Sequence, residues 1–469
     1  MTARSLSGAL MHHFSETLNS LFSESGKFPS ECGLAVAYSG GLDSSVLLSL
    51  TAEYCRINNI ALSAFHVYHG LSPNADEWLA HCKSICEKLG VHFAFEKIVV
   101  ANNEGDGVEG SARKGRYLAL GKMSAASQAM IVLAAHHQDD QAETLLMQML
   151  RGSGVAGLSG MDKFNFAPAL FGNPSVVMMR PLLDVSRAEL ERFAHENQIV
   201  YVEDESNEDA RFLRNALRHQ VMPVLEKISP GFAGRMSRTA KHMQSAHNLA
   251  EALAEQDLAH CLSGPALELD MQRMRLLSPE RINNLFRLWL SKFDVRMPST
   301  SRLNEISKQI FDAKDDARIT IFHEKLAIHR YQEKICASDR AREPVNDELS
   351  IKFSWNREES LPFPDFHGTL YFRRGSRGLC PDWLEQQALC LHLRRGGERL
   401  KLAENRSTRD MKSHYQAMRI PFWIRQQLPF VSIGSELVYA AGVGMQSQFC
   451  SDSESEQSEA QVVLEWVAD

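Results

Sequence analysis

Residues 34–54 read LAVAYSGGLDSSVLLSLTAEY, and this stretch decides the fold of the first part of the chain. Leu34 to Tyr38 form a short apolar run of the kind that a parallel sheet buries on both faces. The glycines of the following SGGLDS string, 39–44, permit a tight turn and let an anion approach the backbone. An apolar helix that begins at Ser44 or Ser45 follows, and the unpaired N–H groups of a helix start favour phosphate. The stretch therefore predicts a strand, a phosphate-binding loop and a helix.

Asp43 is the unusual residue of this loop, because a carboxylate beside phosphates is repulsive unless a cation lies between them. We therefore predict a Mg²⁺ ion at Asp43, since Mg²⁺ prefers oxygen ligands. Two glycines after a strand are, by themselves, more often a plain structural turn. The complete SGGLDS string is far more specific, and it is not a Walker A loop because no GK[ST] follows the glycines.

The composition is that of a globular protein with several domains. With 469 residues, 44% of them apolar and 23% charged, the chain is long enough for two to four domains. No apolar run reaches the length of a membrane span, and residues 1–22 lack the pattern of a signal peptide. Nine cysteines at scattered spacings indicate reduced thiols, so we expect a cytoplasmic protein. The net charge of −7 argues mildly against nucleic acid, but residues 391–425 carry nine Lys/Arg against three Asp/Glu, a local balance of +6.

Strand and helix patterns alternate over the first 200 residues, which predicts an α/β fold with a doubly wound parallel sheet. We expect strands at 61–68, 92–100, 130–135 and 176–179, and a later helix that begins with a Ser186/Glu189 capping box. Ligands of such sheets bind beyond the carboxyl ends of the strands. Polar residues at 39–44, 66–69 and 136–140 follow predicted strands, so we expect them to converge.

The rest of the chain predicts two further domains. Residues 235–256, 279–293 and 301–313 have helical patterns, and 318–338 favours small strands. From about residue 350, short strands alternate with basic loops. We therefore expect a catalytic domain at 1–225, a mainly helical domain at 226–345, and a small mixed α+β domain at 346–469.

Each polar cluster at the strand ends also has a purely structural interpretation. His66 fits a buried core histidine as well as a ligand contact, and Arg113 by itself fits a solvated helix face with local ion pairs. Asp140 and Glu143 lie three residues apart on one helix face, where they can hold a metal or a substrate ammonium. Acidic residues are also favourable caps at a helix start. For this acidic pair we favour a function, because it follows a strand end.

The SGGLDS loop resembles the pyrophosphate loop, SGGxDS, of the ATP pyrophosphatases, which split ATP into AMP and pyrophosphate. Together with other motifs it resembles one branch of them, the tRNA(Ile)-lysidine synthetases. The matching pieces are SGGLDS at 39–44, HVYHGLS at 66–72, EGSARKGRY at 109–117, AHHQDDQAET at 135–144, RGSGVAGLSGM at 151–161, RPLLDVSRAEL at 180–190, DESNEDARFLRNALR at 204–218 and KSHYQAMRIPFWIRQQLPFV at 412–431. The resemblance spans most of the chain and is weakest from about 235 to 385. Tyr68 is a departure, since many relatives have histidine or aspartate there.

The resemblance implies an enzyme that modifies the cytidine at the first anticodon position of a tRNA(Ile) with a CAU anticodon. The C2 oxygen of that cytidine attacks the α-phosphate of ATP, and pyrophosphate leaves. The side-chain amine of free L-lysine then displaces AMP at C2 and gives lysidine. Codon reading thereby changes from AUG to AUA.

The residues agree with this chemistry, which is mostly positioning and charge neutralisation. We expect Asp43 to hold Mg²⁺, Asp140 and Glu143 to bind lysine and accept its proton, and Arg113 to neutralise charge on the adenylate or on RNA phosphates. These four are the predicted catalytic residues. The residues expected to contact ATP are Ser39, Gly40, Gly41, Leu42, Asp43, Ser44, His66 and His136.

Two arginine groups are candidates for tRNA binding. Arg211, Arg214 and Arg218 form either a basic stripe for a phosphate backbone or a merely solvated helix face. Arg394, Arg395 and Arg399 lie in the stretch of local charge +6. The aromatic residues near them, such as Tyr415 and Trp423, fit a core better than stacking platforms.

Two rival functions stay open. One is another ATP pyrophosphatase, such as a tRNA sulfur-transfer enzyme or an amide-forming synthetase, although the chain has no CxxC and no obvious glutaminase segment. The other is a non-catalytic nucleotide-binding module on RNA. The sequence does not give the oligomeric state, and a homodimer stays open.

Overall fold

The structure is a computed structural model that describes residues 3–70, 74–98, 107–203, 211, 213–264, 267–314, 319–339, 349–452 and 460–468. Side chains are described from residue 7 onward and, in the helix that begins at Gly107, from residue 110. Parts of the predicted motifs at 66–72 and 204–218, and the domain boundary predicted at residue 345, lie outside these ranges. The chain divides into two compact units, Met1–Leu249 and Ala250–Asp469.

The first unit alternates helices and strands, and its last helix continues past Leu249 into the residues of the second unit. In chain order they are α1 Ala3–Ser25, α2 Pro29–Cys32, β1 Leu34–Ala37, α3 Leu42–Asn58, β2 Leu62–Tyr68, α4 Ala75–Leu89, β3 His92–Lys97, α5 Gly107–Ser127, β4 Ile131–Leu133, α6 Gln138–Leu150, α7 Val155–Leu158, β5 Phe164–Phe166, α8 Pro168–Phe171, β6 Val177–Met179, α9 Arg187–Glu196, α10 Leu213–Ala216, α11 Met222–Ile228 and α12 Phe232–Cys261. A π-helical turn, Leu217–Val221, joins α10 to α11.

These strands form one sheet in the order β3-β2-β1-β4-β6-β5. All neighbours pair in parallel except β5, which pairs antiparallel with β6. The doubly wound parallel sheet is therefore confirmed. Strand β1 lies between β2 and β4, so the loops after these three strands open at one edge, and their predicted convergence is confirmed as well.

Strand β1 is buried on both faces, as its apolar run predicts. Leu34 and Val36 belong to one hydrophobic cluster and Ala35 to another, because successive side chains of a strand point to opposite faces. Helices α1, α3 and α9 cover the first face, and α5 and α8 cover the second. Helices thus pack against both faces of the sheet and fix the position of the strand ends that carry the loops.

The second unit contains a helical part followed by antiparallel sheets. Its elements are β7 Leu269–Asp270, α13 Met271–Met274, α14 Pro279–Ser291, α15 Thr300–Phe311, β8 Ile319–His323, β9 Leu326–Tyr331, β10 Lys334–Asp339, β11 Ser350–Phe353, β12 Ser360–Phe363, β13 Gly368–Gly375, β14 Arg377–Gly378, α16 Pro381–Glu385, β15 Leu389–His392, β16 Arg399–Leu400, β17 Arg409–Asp410, α17 Met411–Ala417, α18 Phe422–Arg425, β18 Phe430–Ile433, β19 Glu436–Ala440, β20 Gly444–Met445, β21 Ser451–Asp452 and β22 Gln461–Ala468. The larger sheets have the orders β7-β10-β9-β8 and β11-β15-β18-β19-β20.

The predicted boundaries differ from the observed ones in a few places. The helix after the glycine loop begins at Leu42, so the predicted start at Ser44 or Ser45 is wrong by two residues or more. Strand β5 was not predicted, because its three residues FNF carry almost no pattern. The Ser186/Glu189 capping box is confirmed, with Ser186 N–H donating to Glu189 Oε2 at 2.9 Å. Among the described helices, none combines the length and apolar character that a membrane span needs.

Candidate active site

The glycine loop is shaped by its own hydroxyls and by one strained glycine. Gly40 has φ +90°, a conformation that only glycine adopts readily, and Gly41 is the N-cap of α3. The Ser39 and Ser44 hydroxyl oxygens lie 3.0 Å apart, and Ser44 Oγ donates to the Gly41 carbonyl at 3.0 Å. Because α3 begins directly after β1, the free N–H groups at its start lie at the edge of the sheet where the strands end, and they can bind phosphate there.

Gly40 is expected to tolerate no side chain. A Cβ at Gly40 would lie 2.8 Å from Cys82 Sγ and 3.1 Å from Val202 Cγ2. We expect Gly40→Ala to weaken ATP binding and to lower the free energy of unfolding by roughly 1–3 kcal/mol. Gly90→Ala is the matched control, because Gly90 also has positive φ but has nothing within 4 Å of the added Cβ. Thermal unfolding measures the stability of the two variants, and titration with ATP measures their affinity. If Gly40→Ala and Gly90→Ala have the same stability and the same ATP affinity, the loop is not constrained at Gly40.

Asp43, in the first turn of α3, has a carboxylate oxygen that fits a metal ion. Its Oδ1 is buried and has no hydrogen-bond partner among the described residues. A buried unpaired oxygen costs free energy unless something binds it. In the described part of the chain no group of three His, Cys, Asp or Glu side chains could hold a metal by itself. One carboxylate completed by phosphate oxygens and waters is, however, the donor set that Mg²⁺ takes beside nucleotides, so Asp43 fits this ion.

His137 lies at the centre of three carboxylates and is fully buried. Its Nε2 is 3.6 Å from Asp43 Oδ2 and 3.4 Å from Asp140 Oδ2, and its Nδ1 is 3.7 Å from Asp139 Oδ2. Burial alone lowers the pKa of His137, but the carboxylates of Asp140, Asp139 and Asp43 outweigh it and raise that pKa to about 10. His137 is therefore a buried cation that links the phosphate loop to the start of α6.

Asp140 and Glu143 are bound by two arginines. Arg214 donates from Nε to Glu143 Oε2 at 2.8 Å and from Nη2 to Asp140 Oδ1 at 2.7 Å. Arg218 donates from Nε to Glu143 Oε1 at 2.6 Å and from Nη2 to Asp140 Oδ1 at 2.9 Å. Burial raises the pKa of Asp140, but His137 and the two arginines more than reverse this and hold the pKa well below its usual range. Both carboxylates are therefore already paired with guanidinium groups.

The sequence did not reveal this pairing. Arg214 and Arg218 were predicted to form a basic stripe or a solvated face, but their side chains are only 28% and 24% exposed and point at the acidic pair. The sequence did contain a signal for this pairing. Arg214 and Arg218 are four residues apart and Asp140 and Glu143 are three apart, so the members of each pair lie on the same helix face. A role of Arg211, Arg214 and Arg218 in tRNA binding stays a prediction.

The two histidines at the neighbouring strand ends occupy different environments. His66, at the end of β2, is 6% exposed, and its Nδ1 donates to the Tyr38 carbonyl at 3.0 Å. Burial lowers the pKa of His66. His136, after β4, accepts at Nδ1 from Arg180 Nε at 3.2 Å. Arg180 is 6% exposed and was not predicted as a site residue, because a lone arginine after a strand carries no signal.

Arg113 lies on α5 with an exposed side chain. Its Nη2 donates to the Tyr117 hydroxyl at 3.3 Å, and no carboxylate among the described residues lies within 4.0 Å of it. The guanidinium is therefore available to an anion, as its predicted role requires.

Of the three C-terminal arginines, Arg394 and Arg395 lie on a loop of the second unit and Arg399 begins the short strand β16. Arg394, Arg395 and Arg399 are all exposed, and their one carboxylate contact in the described chain is Arg394 Nε to Glu398 Oε2 at 3.9 Å. Tyr415 is fully buried, so the prediction of a core position is confirmed. Trp423 stacks on His329 with ring centroids 4.0 Å apart, which is an internal contact of this unit.

Profiles of three known domains match the chain. A PP-loop domain matches residues 10–225, a TilS substrate binding domain matches 269–336, and a TilS substrate C-terminal domain matches 389–466. With the parallel sheet and the SGGLDS loop, these matches define the class: an ATP-using ligase built on a PP-loop domain.

Relatives identify the family within this class. The tRNA(Ile)-lysidine synthase of Coxiella burnetii is 34% identical over 413 residues, covering 88% of this chain and 89% of its own. That of Burkholderia pseudomallei is 35% identical over 446 residues, covering 89% and 90%, and that of Nitrosomonas europaea is 34% identical over 419 residues, covering 89% and 88%. The chain belongs to the tRNA(Ile)-lysidine synthase family.

Proposed function

We propose that the chain ligates free L-lysine to C2 of the cytidine at the first anticodon position of a tRNA(Ile) with a CAU anticodon. ATP is converted to AMP and pyrophosphate, and codon reading changes from AUG to AUA. The observation that carries the proposal is the phosphate loop with the unpaired Asp43 oxygen, linked through His137 to the paired Asp140 and Glu143. Membership of the lysidine synthase family supports the choice of tRNA and lysine.

The first step is adenylation of the cytidine. The C2 oxygen attacks the α-phosphorus, and the bond from that phosphorus to the pyrophosphate oxygen breaks. The N–H groups at the start of α3 and the Ser39 and Ser44 hydroxyls bind phosphate oxygens. Asp43 would hold Mg²⁺, which neutralises charge on the phosphates when bound. Arg113 stabilises the charge on the adenylate.

The second step replaces AMP with lysine. The lysine amine attacks C2 after losing a proton, and the bond from C2 to the adenylate oxygen breaks. Asp140 and Glu143 bind the ammonium groups of lysine, and one carboxylate accepts the proton. Because Arg214 and Arg218 occupy these carboxylates, lysine must share or displace their hydrogen bonds. Their release toward RNA phosphates would couple lysine binding to the presence of tRNA.

The C-terminal arginines provide a docking surface for tRNA in this proposal. Replacing Arg394, Arg395 and Arg399 with alanine is expected to weaken tRNA binding and to flatten the salt dependence by roughly one unit of slope for each lost phosphate contact. ATP binding should be unchanged, because the phosphate loop lies in the other unit. Filter binding over a salt series measures the effect.

A matched triple variant controls for the loss of charge. Arg357, Arg373 and Arg377 also belong to the second unit, but each has a carboxylate partner within 4.0 Å. Their replacement with alanine removes the same charge and should leave the salt slope near that of the parent. If both triple variants bind tRNA like the parent at every salt concentration, residues 394–399 do not belong to the tRNA footprint.

Pyrophosphate release separates this function from its rivals. We expect release that requires tRNA and ATP, with AMP set free only after lysine is added. Release that needs a sulfur donor or an ammonia source would indicate another ATP pyrophosphatase, and binding without release would indicate a non-catalytic module.

We also propose the three-domain division at 225 and 345 and a cytoplasmic location, and we leave a homodimer to be tested by light scattering.

A further inference from the structure

Arg180 is a buried arginine that holds three structural elements together. It follows β6, and its Nη1 donates to the Asp162 carbonyl at 2.8 Å and to Asn165 Oδ1 at 3.0 Å. Its Nε donates to His136 Nδ1 at 3.2 Å. Its Nη2 donates to Met178 Sδ at 3.6 Å. The contacts with Asp162 and Asn165 therefore fix the orientation of the guanidinium, and this orientation points its Nε–H at His136.

The Arg180 contact decides where the proton of His136 lies. An arginine Nε–H can only donate, so His136 Nδ1 must accept, and the proton of the neutral imidazole lies on Nε2. His66 shows the opposite case, because its Nδ1 faces the Tyr38 carbonyl and must carry the proton. His136 Nε2 has no hydrogen-bond partner among the described residues and is not one of the fully buried unpaired atoms, so it keeps a donor that a ligand at the sheet edge can reach.

The charges around His136 favour the same neutral form. Asp140 faces it from α6, Arg180 from β6, Arg214 from α10 and Arg113 from α5. Burial lowers the pKa of His136, and the three arginines add to this against the opposing effect of Asp140, which brings the pKa to about 3. His136 is therefore a neutral imidazole near pH 7.

We propose that Arg180 is a positioning residue that fixes His136 as the neutral Nε2–H tautomer, so that His136 donates a hydrogen bond to an oxygen of the reacting phosphate. This rests on the proposed adenylation at the same sheet edge. A fixed donor is useful there because negative charge grows on the phosphate oxygens, and a preset hydrogen bond stabilises that charge without reorganisation.

The tautomer is tested directly by nitrogen NMR on the full chain labelled in its histidine rings. His136→Gln identifies the His136 signals by their loss. In the parent we expect a protonated Nε2, an unprotonated Nδ1, and no titration between about pH 5 and 8. An Nδ1–H tautomer, or titration near the ordinary histidine pKa, overturns the proposal whatever the activity of the enzyme.

Variants of Arg180 test the positioning role. Arg180→Met removes the donor, and we expect mixed tautomers at His136 and a fall in kcat for pyrophosphate release of roughly tenfold to a hundredfold, with a smaller change in the KM for ATP. Arg180→Lys keeps a donor, so it should restore much of the Nε2–H tautomer of His136 and much of the kcat for pyrophosphate release. Asn165→Ala is the control, because it removes one of the two acceptors of Arg180 Nη1 but keeps the Asp162 carbonyl and the Nε donor to His136, and it should leave the tautomer unchanged.

The outcomes separate this inference from the function it rests on. A normal rate with mixed tautomers in Arg180→Met overturns the positioning role. Equal losses in Arg180→Met and Asn165→Ala, with an unchanged tautomer in both, show that Arg180 is only a structural link and also overturn it. If the parent has the expected tautomer but releases no pyrophosphate with tRNA, ATP and lysine, the proposed function fails and the phosphate role of His136 fails with it, while the positioning of His136 by Arg180 stands.

Discussion

Replacing Asp43 with asparagine is expected to reduce tRNA-dependent pyrophosphate release by at least about a hundredfold, or roughly 3 kcal/mol in activation free energy. Asparagine has nearly the same shape, so the loop should keep its conformation. It lacks the charge that would hold Mg²⁺ against the phosphates and that faces the His137 imidazolium at 3.6 Å. Release should be measured over a Mg²⁺ series, and higher Mg²⁺ should restore part of the rate.

Glu53→Gln provides the control for this variant. Glu53 lies near the other end of the same helix, where it pairs with Arg56 on the surface. Its replacement removes one negative charge from α3 without reaching the phosphate loop, and its release rate should equal that of the parent. A normal rate with normal Mg²⁺ dependence in Asp43→Asn would show that Asp43 holds no catalytic metal.

Glu143→Gln is expected to raise the KM for lysine by about tenfold or more and to leave the KM for ATP nearly unchanged. The Glu143 side chain is almost fully buried and accepts hydrogen bonds from both Arg214 and Arg218. Loss of its charge leaves two partly buried guanidinium groups with one carboxylate. We therefore also expect the free energy of unfolding to fall by about 3 kcal/mol.

Arg218→Gln distinguishes the two roles of Glu143. It breaks the same ion pair from the other partner and keeps the Glu143 charge. If Glu143 binds lysine, only Glu143→Gln raises the KM for lysine strongly. If Glu143 only holds the arginines, both variants lose stability alike and neither changes the lysine requirement selectively, which would return Glu143 to a structural role.

The location of the site could be predicted from the sequence because its residues follow strand ends. SGGLDS follows β1, His66 lies at the end of β2 and His136 follows β4, and these strands are neighbours in the sheet. An alternating chain pattern predicts a parallel sheet, and a parallel sheet gathers such ends at one edge. The local sequence pattern and the sheet topology were therefore sufficient to predict where the site lies.

The partners inside the site could not be predicted, because they join residues far apart in the chain. Arg214 reaches Glu143 over 71 positions, and Arg180 reaches His136 over 44. Periodicity places such a residue on a helix face or at a strand end but does not say which distant group it meets. Strand β5 and the start of α3 were missed for a different reason: a three-residue strand has too little pattern, and the glycine N-cap of α3 lacks the usual capping side chain.

Transfer of labelled lysine tests the central claim most directly. The purified chain is incubated with a CAU-anticodon tRNA(Ile), ATP, Mg²⁺ and isotopically labelled L-lysine, and the tRNA is digested to nucleosides. We predict label on the cytidine of the first anticodon position, with one AMP and one pyrophosphate formed for each lysine attached, and no label on a tRNA whose first anticodon base is changed. Unlabelled tRNA, or label that appears with ADP and phosphate instead of AMP and pyrophosphate, would contradict the proposed reaction.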